Sequence, residues 1–319
     1  MHKCLFCYAE MDPNLEGDYH PACIKEFFGT TLAPVLPYRL SEMEILAKEA
    51  VEMSITVPGV QPKLSLGWIK TELENRHQGR LTVMDALDGN YILKPQNAQY
   101  PLMPENEHLS MKLASLFKLD VVPSTMIRLA SGELCYLTKR IDRKQDGAKI
   151  HMIDFMQILE LEDKYKGTME TLGKTIGELS ANTLLDKLRF FELAVFNYVI
   201  GNNDMHLKNF SMWLTAHGWS LTPSYDLLNV KIILPKDKED VALMLGGKKM
   251  NFNKGYFNQL GVVLKLNEKQ INGVYKRLQK WLPNATQLIS SSFLTEGLKS
   301  SYTTLVNQRV FLFKTNNSD

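Results

Sequence analysis

The pattern of hydrophobic and polar positions changes character near residue 140 of this 319-residue chain. Upstream, apolar residues occur in short runs separated by Gly, Pro and Asp, a pattern typical of strands joined by turns. The runs 81–87 and 91–94 flank Asp88-Gly89, a pair that favours a tight turn, so they predict a hairpin. Further strands are predicted within 54–69 and at 121–122, 126–129 and 134–138.

Helical spacing of apolar residues occurs in the first part of the chain and dominates the rest. Between Glu105 and Lys118 the apolar residues recur three or four positions apart, which predicts a helix. Ser41 and Glu44 form a capping box that opens another helix, which would end near Val51. Later helices are predicted at 152–161, at 183–200 and from 267 onward, with a hairpin at 210–214 and 219–222.

This order of elements predicts an α+β fold of the bilobal, protein-kinase-like kind. Residues 33–145 would form a β-rich N-lobe and residues 146–319 a helical C-lobe. Residues 1–32 would form a small Cys/His knuckle, which a Pro-containing linker separates from the N-lobe.

The composition is that of a globular protein, with 45% hydrophobic and 23% charged residues. No apolar stretch approaches the roughly 18 residues of a membrane span, and the N-terminus lacks the apolar core of a signal peptide. We therefore expect a cytoplasmic protein that does not contact a membrane. The net charge of +2 is too small to favour direct binding of nucleic acid.

The most informative segment runs from Gly201 to Phe210, where Asp204 and Asn209 lie five positions apart. The catalytic loop of protein kinases has the same spacing of Asp and Asn. In that chemistry the carboxylate orients the attacking hydroxyl, and the amide oxygen holds a magnesium ion. Asp226 follows on the next predicted hairpin and would supply a second ligand, because magnesium prefers oxygen.

The upstream half offers the lysine that such an enzyme needs for the phosphates of ATP. Lys94 ends the predicted strand 91–94, where its ammonium group would pair the α- and β-phosphates. The following helix offers Glu105 and Glu107 as the ion-pair partner of Lys94, and we prefer Glu107.

Together these motifs resemble the HipA family of toxin kinases over roughly residues 50–310. The resemblance is carried by Asn202 to Phe210, Tyr225-Asp226-Leu227, Gly59-Val60-Gln61-Pro62-Lys63 and Ile92-Leu93-Lys94-Pro95. It implies a serine/threonine kinase that uses ATP and Mg²⁺, with Asp204 and Lys94 as catalytic residues. Asn209 and Asp226 would be the magnesium ligands.

The resemblance also implies further contacts to the nucleotide. The glycine loop would contribute Val57, Gly59, Val60 and Lys63. The run 139–143 resembles the family's hinge, so Lys139 and Ile141 would hold the adenine through their backbone, with Lys139 in place of an acidic residue.

Two side chains of the catalytic loop have two interpretations each. His206 is expected either to touch phosphate or to brace the loop. Lys208 is expected either to contact the γ-phosphate or to be an exposed loop lysine.

Within the family, the chain is similar to the short HipT toxins, because only the Cys/His segment and a helix precede the glycine loop. That similarity implies a HipS-like small antitoxin and a HipB-like DNA-binding protein as partners. The implied substrate is an aminoacyl-tRNA synthetase, for glutamate or tryptophan, whose phosphorylation would inhibit translation. Ser54 and Thr56 resemble the family's autophosphorylation motif, although such residues also simply suit a strand beside a turn.

Three of the four cysteines lie near the N-terminus. Cys4, Cys7, His20 and Cys23 have the spacing of a zinc knuckle, and thiolate and imidazole groups suit structural Zn²⁺. The alternative is a metal-free cap that packs through Phe27 and Phe28.

Two other classes of function compete with the kinase. A pseudokinase subunit would use the fold only to bind antitoxin partners, and transfer of labelled phosphate from ATP would distinguish it from a kinase. A zinc-dependent nucleic-acid-binding module is disfavoured by the small net charge.

Overall fold

The computed structural model describes residues 2–43, 45–46, 63–69, 79–84, 89–144 and 147–314. Its strands are β1 (Leu64–Ile69), β2 (Arg80–Met84), β3 (Tyr91–Lys94), β4 (Ser124–Arg128), β5 (Leu134–Lys139), β6 (Met152–Asp154), β7 (Ser211–Thr215) and β8 (Gly218–Leu221). Its helices are α1 (Pro21–Phe28), α2 (Met103–Leu116), α3 (Phe155–Ile158), α4 (Met169–Leu179), α5 (Thr183–Ile200), α6 (Lys254–Val263), α7 (Glu268–Ser291) and α8 (Glu296–Leu312).

The described residues divide into two compact units. The first contains residues 1–108, 122–149 and 291–294, and the second contains residues 109–121, 150–290 and 295–319. The lobe boundaries predicted at 32/33 and 145/146 stay predictions. In the described part of the chain, no helix combines the length and apolar character needed to cross a membrane.

The first unit is built on an antiparallel sheet of five strands in the order β2-β1-β3-β5-β4. The predicted hairpin of 81–87 with 91–94 is wrong, because β1 lies between β2 and β3 and pairs with both. Leu66 of β1 faces Val83 on one side and Tyr91 on the other. The sequence pattern identified the strands, whereas their neighbours depend on pairing between distant segments.

Gly89 does not form a hairpin turn between β2 and β3 but allows a close approach of the chain to β1. Its φ angle is +84°, and a Cβ atom there would lie 2.6 Å from the carbonyl oxygen of Leu66. The next residue, Asn90, donates its backbone N–H to the same oxygen at 3.0 Å. Glycine is therefore needed because the chain passes closely over β1 as it enters β3.

The second unit contains a three-stranded sheet in the order β6-β7-β8. The predicted hairpin at 210–214 and 219–222 is present as β7 and β8. The helix predicted at 152–161 is wrong at both ends, because residues 152–154 form β6, which pairs with β7, and the helix ends at Ile158. Asp154 then caps the short helix α3 through a capping box with Gln157, so the helical pattern is delayed by the cap.

The core of the second unit is aromatic. The rings of Phe117, Phe196 and Trp281 lie within 6 Å of one another, centroid to centroid. The indole N–H of Trp281 donates to the backbone oxygen of Leu113 at 3.1 Å, so a buried polar group is satisfied. Helix α5, whose bounds equal those predicted from its spacing, is buried along most of its length and leads directly to the candidate site.

Part of the predicted helix from Ser41 to Val51 lies outside the described residues. Residues 40–43 and 45–46 are helical. The backbone N–H of Arg39 donates to the Glu42 carboxylate at 2.6 Å, which caps the first turn two residues earlier than the predicted capping box.

Candidate active site

In the first unit, the end of β3 and the start of α2 hold a buried ion pair. The Nζ of Lys94 lies 2.6 Å from the Oε1 of Glu107, and both side chains are almost fully buried. Glu105, the other candidate partner, accepts from the amide of Gln96 at 2.9 Å. Burial raises the pKa of Glu105 above its ordinary value, and the Gln96 amide only partly offsets this. The structure therefore separates the two glutamates, which the sequence pattern left nearly equal.

The ring of Tyr136 completes the surroundings of Lys94. Tyr136 is opposite Lys94 in the β3–β5 ladder, and the Lys94 ammonium group lies 5.5 Å from the centroid of its ring. Burial raises the pKa of the Tyr136 phenol well above its usual range, so the ring is neutral near pH 7. A carboxylate and an aromatic face together stabilise the charged form of a buried lysine.

The predicted hinge follows β5. The guanidinium groups of Arg140 and Arg143 lie 2.7 Å and 2.6 Å from the carboxylate of Asp142. Burial alone would raise the pKa of Asp142, but the two arginines hold it below its ordinary value. The ammonium group of Lys139 lies 5.2 Å from the ring centroid of Phe27, and Ile141 is half-buried. The Lys139 side chain is thus occupied by an aromatic contact within the protein.

The predicted glycine loop lies largely outside the described residues. Val57, Gly59 and Val60 fall in this gap, as do Ser54 and Thr56. Lys63 is described and exposed, directly before β1.

In the second unit, the candidate catalytic loop begins where α5 ends. Gly201 has a φ angle of +80°, and its N–H donates to the backbone oxygen of Tyr198 at 3.2 Å, as expected for a helix that ends in a left-handed residue. The side chain of Asn202 then donates to Asn197 at 2.8 Å and accepts from the backbone N–H of Asp204 at 3.2 Å. The buried amide of Asn202 therefore sets the course of the chain into Asp204.

Asp204 and Asn209 are brought together by the backbone of this loop. The Nδ2 of Asn209 donates to the backbone oxygen of Asp204 at 3.2 Å, and Asn209 is buried. The backbone N–H of His206 donates to the same oxygen at 2.8 Å. Because Asn209 uses its amide nitrogen for this bond, its amide oxygen is directed away from the loop backbone, as a metal ligand requires.

The carboxylate of Asp204 is half-exposed and accepts a hydrogen bond from the hydroxyl of Tyr165 at 2.8 Å. The same tyrosine ring lies edge-on to the imidazole of His206, with centroids 5.4 Å apart. Sequence reasoning missed Tyr165, because it lies in a polar stretch without periodicity, 39 positions before Asp204. We find no signal in the sequence that would have connected the two.

His206 is buried, and its burial lowers the pKa of the imidazole below its ordinary value. The carboxylates of Asp204 and Asp226 oppose this shift, and the ammonium group of Lys164 adds to it. Within the described part of the chain, the Nδ1 of His206 has no hydrogen-bond partner. The ring therefore braces the loop through Tyr165 and also presents an unsatisfied nitrogen, so both predicted interpretations keep support.

Asp226 follows β8 and has a φ angle of +60°. Aspartate and asparagine tolerate this left-handed region better than most residues, but the conformation still carries strain. The strain indicates that the surrounding structure fixes the direction of the carboxylate, which lies close enough to His206 to affect its pKa.

Lys208 is exposed, and its ammonium group lies 3.6 Å from the carboxylate of Asp154. Sequence reasoning also missed Asp154, which falls in the first turn of the predicted helix 152–161 and instead lies at the end of β6, where it caps α3. Asn203 donates to the carboxylate of Asp237 at 2.7 Å, in keeping with a structural role. These contacts hold the loop from two sides.

The four N-terminal candidate ligands also come together. The ligand atoms of Cys4, Cys7, His20 and Cys23 all lie within 4.8 Å of one another. This cluster belongs to the first unit, as does the Lys94–Glu107 pair.

Comparison with known proteins identifies relatives of the chain. It is 28% identical over 211 residues to a putative kinase from Haemophilus influenzae, covering 62% of this chain and 59% of that protein. It is 26% identical over 233 residues to the serine/threonine-protein kinase toxin HipA of Shewanella oneidensis, covering 66% of this chain and 51% of that protein. The chain thus spans roughly half the length of these curated relatives.

The fold is similar to that of a solved structure, HipA of Shewanella oneidensis in a complex with HipB and its operator DNA. The TM-score is 0.66 at 18% identity, covering 86% of this chain and 71% of that chain. This likeness concerns the fold alone and confirms the predicted HipA-like α+β class. The sequence also matches the family described as the HipA-like C-terminal domain over residues 55–286. Because that match covers most of the chain, the protein belongs to the HipA family.

Proposed function

We propose that this chain is a serine/threonine protein kinase that uses ATP and magnesium. The observation that carries the proposal is the geometry of the loop 201–210, where the hydrogen bond from Asn209 to the Asp204 backbone holds both side chains in one short segment. Phosphoryl transfer needs little covalent chemistry from the protein, so the positions of such groups account for most of the catalysis. The similarity to putative kinases supports the same conclusion.

The donor set fits magnesium. Asn209 offers an amide oxygen, Asp226 offers a carboxylate, and both are held in place, one by a hydrogen bond and the other by the local backbone. Mg²⁺ is commonly bound by one or two protein oxygens together with phosphate oxygens and water. When bound, the ion would neutralise charge on the phosphates.

The remaining residues have roles that follow from their charge and surroundings. Asp204 would accept the proton of the attacking serine or threonine hydroxyl, because its carboxylate is half-exposed in the loop. Lys94, held by Glu107, would bind phosphate oxygens of ATP. Lys208, whose exposed ammonium group lies 3.6 Å from the Asp154 carboxylate, would be able to turn toward the γ-phosphate.

The substitution Asp204→Asn tests the proposal. It keeps the size of the side chain and a hydrogen-bond acceptor for Tyr165, but it removes the base. We expect transfer of labelled phosphate from ATP to fall by at least about a hundredfold, with folding and nucleotide binding retained. Asp12→Asn, in a loop of the first unit, is the control and should leave transfer unchanged. Near-normal transfer in Asp204→Asn would show that the base lies elsewhere.

We further propose that the kinase is the toxin of a toxin–antitoxin system in the cytoplasm. Support comes from the similarity to a kinase toxin and from a fold shared with a HipA that binds HipB. Partners would be a HipB-like protein and a HipS-like antitoxin, and the substrate a glutamyl- or tryptophanyl-tRNA synthetase. Incubation of each synthetase with the chain and labelled ATP tests the proposed substrate. If neither synthetase acquires label, the proposed substrate class is wrong.

Autophosphorylation at Ser54 or Thr56 is proposed as the control of this activity. A phosphate adds about −1.5 to −2 charges at neutral pH, and beside the glycine loop it would compete with the phosphates of ATP. Ser54→Asp with Thr56→Asp should therefore transfer less phosphate to substrate than the wild type. The double alanine variant should stay active but lose self-labelling. Self-labelling that persists in the alanine variant would place the phosphate at another residue.

A further inference from the structure

The N-terminal cluster has the dimensions of a tetrahedral metal site. The Nδ1 of His20 lies 3.4 Å from the sulfur of Cys7 and 3.9 Å from the sulfur of Cys23. Zinc binds sulfur at about 2.3 Å and nitrogen at about 2.0–2.1 Å, so sulfur and nitrogen ligands around one ion are about 3.6 Å apart. Cys4 contributes the third sulfur within the same 4.8 Å limit.

The imidazole of His20 is oriented as a ligand. Its Nε2 lies 3.1 Å from the backbone oxygen of Glu10, to which it donates. This leaves the lone pair on Nδ1, which faces the sulfurs of Cys7 and Cys23. Metal-binding histidines usually donate their second nitrogen to a carbonyl or carboxylate in this way, which fixes the tautomer.

The chain between the first two cysteines is shaped to present both sulfurs on one side. The backbone N–H of Tyr8 donates to the oxygen of Cys4 at 3.0 Å, and the N–H of Cys4 donates to the oxygen of Ala9 at 3.0 Å. Tyr8 has a φ angle of +68°, a left-handed conformation that is unfavourable for a bulky residue. A strained residue directly after the second ligand indicates that something besides local preference holds this turn.

All three sulfurs are free thiols in the structure, as is that of Cys135. A disulfide within the cluster would use two of the three and leave the third beside a histidine. A metal uses all four groups at once, and three thiolates with one imidazole suit Zn²⁺. We propose that Cys4, Cys7, His20 and Cys23 form a structural zinc site.

The contacts of this segment show what the zinc would stabilise. The backbone N–H of Met126 in β4 donates to the oxygen of Leu5 at 3.5 Å, and the hydroxyl of Tyr19 donates to the oxygen of Met126. Strand β4 is an edge of the five-stranded sheet, so the zinc-bound segment covers part of this edge and pairs with the backbone of Met126.

The residue directly after the second cysteine also reaches helix α2. The hydroxyl of Tyr8 pairs with the Nδ1 of His108 at 2.9 Å, and their rings lie edge to face at 5.2 Å. His108 directly follows Glu107, the partner of Lys94. The zinc site thus holds the residue that supports the start of α2. Any effect of this support on catalysis rests on the proposed kinase function. The zinc site itself does not rest on that function.

Elemental analysis of the full chain, purified without chelator, tests the site. We expect about one zinc and no iron per chain. Cys4→Ser with Cys7→Ser should lose the zinc, and Cys135→Ala, a buried cysteine outside the cluster, should retain it. Zinc far below one per chain, iron in its place, or unchanged zinc in the double serine variant would overturn the proposal.

Cobalt substitution keeps the test valid if the serine variant does not fold. The wild-type chain grown with Co²⁺ should show the strong visible bands of a tetrahedral site with sulfur ligands, and zinc should displace them. An octahedral cobalt spectrum would overturn the proposal.

Hydrogen exchange tests the contact with α2 without an activity assay. Tyr8→Phe should keep its zinc, while the amides of residues 105–108 exchange about two- to tenfold faster, the factor that one lost hydrogen bond supplies. Tyr38→Phe removes a comparable tyrosine bond, to Thr82, and should not change exchange in that segment. Unchanged exchange in Tyr8→Phe would show that the segment does not support α2.

Discussion

The hydroxyl of Tyr165 donates a hydrogen bond to the Oδ1 of Asp204 at 2.8 Å. Burial raises the pKa of Tyr165 above its ordinary value, and the Asp204 carboxylate raises it further, so the phenol stays a donor at neutral pH. The phenol therefore orients the candidate catalytic carboxylate, while the hydrogen bonds from His206 and Asn209 fix the backbone of Asp204.

Removing that phenol tests whether it positions Asp204. In Tyr165→Phe we expect kcat to fall about tenfold with KM for ATP unchanged, because a hydrogen bond to a charged group contributes about 1.5 kcal/mol at the low end. Steady-state kinetics at varied ATP measures both constants. Tyr275→Phe also removes a tyrosine hydroxyl in this unit, one bonded to Asn258 and outside the catalytic loop, and it serves as the control for folding. A rise in KM with kcat intact would assign Tyr165 to nucleotide binding instead.

The left-handed backbone of Asp226 allows its charge and its conformation to be separated. Asp226→Asn tolerates a φ angle of +60° but lacks the charge, so we expect Mg-ATP affinity to fall about tenfold or more with little change in stability. Asp226→Ala should lose the same affinity and about 1 kcal/mol of unfolding free energy as well. Calorimetric titration and urea unfolding measure the two quantities.

Asn251 provides the matched control for this pair, because it has a φ angle of +61°. Asn251→Ala should cost a similar amount of stability and leave Mg-ATP affinity intact. Wild-type affinity in both Asp226 variants would contradict the magnesium assignment.

For the Lys94–Glu107 pair, we expect replacement of one partner to destabilise the protein more than replacement of both. Lys94→Met leaves the Glu107 carboxylate buried beside an apolar side chain, so we expect the free energy of unfolding to fall by about 3–5 kcal/mol. Replacing both partners, with Lys94→Met and Glu107→Leu, should restore much of that loss, because no buried charge is left. Urea denaturation of the two variants measures the difference.

An exposed pair calibrates this experiment. Lys174 and Glu178 lie 3.8 Å apart on α4 and are largely exposed, so Lys174→Met should change stability by less than about 1 kcal/mol. If Lys94→Met costs no more than Lys174→Met, the buried pair does not contribute as its geometry indicates.

The lowered pKa of His206 predicts that this histidine makes the protein sensitive to acid. A proton binds His206 more weakly in the folded chain than in the unfolded chain, where the pKa is about 6.5. The stability that neutral His206 contributes is therefore fully present above a pH of about 6.5. It is lost as the pH falls through that value toward the lower pKa of the folded chain. His206→Gln should flatten the dependence of unfolding free energy on pH between about 7 and 5. An equal slope in His206→Gln and wild type would assign the acid sensitivity to other groups.

The local features of this protein were determined by its sequence. The spacing of apolar residues predicted the bounds of α5, and the run Tyr91 to Lys94 predicted a strand with a lysine at its end. The order of residues from Gly201 to Phe210 predicted the loop that holds Asp204 and Asn209 close together. Two residues five positions apart in a tight loop are kept near each other by the short chain between them. Such features depend on interactions between residues a few positions apart, which composition and periodicity encode directly.

The distant relationships were decided only by the tertiary structure. The insertion of β1 between β2 and β3, the choice of Glu107 over Glu105 and the bond from Tyr165 to Asp204 all join segments separated along the chain. Backbone pairing in a sheet is nearly independent of side-chain identity, so a strand's own sequence does not name its neighbours. A single polar side chain in a loop, such as that of Tyr165, likewise carries no periodic signal. Its partner depends on which loops the packing of the core brings together.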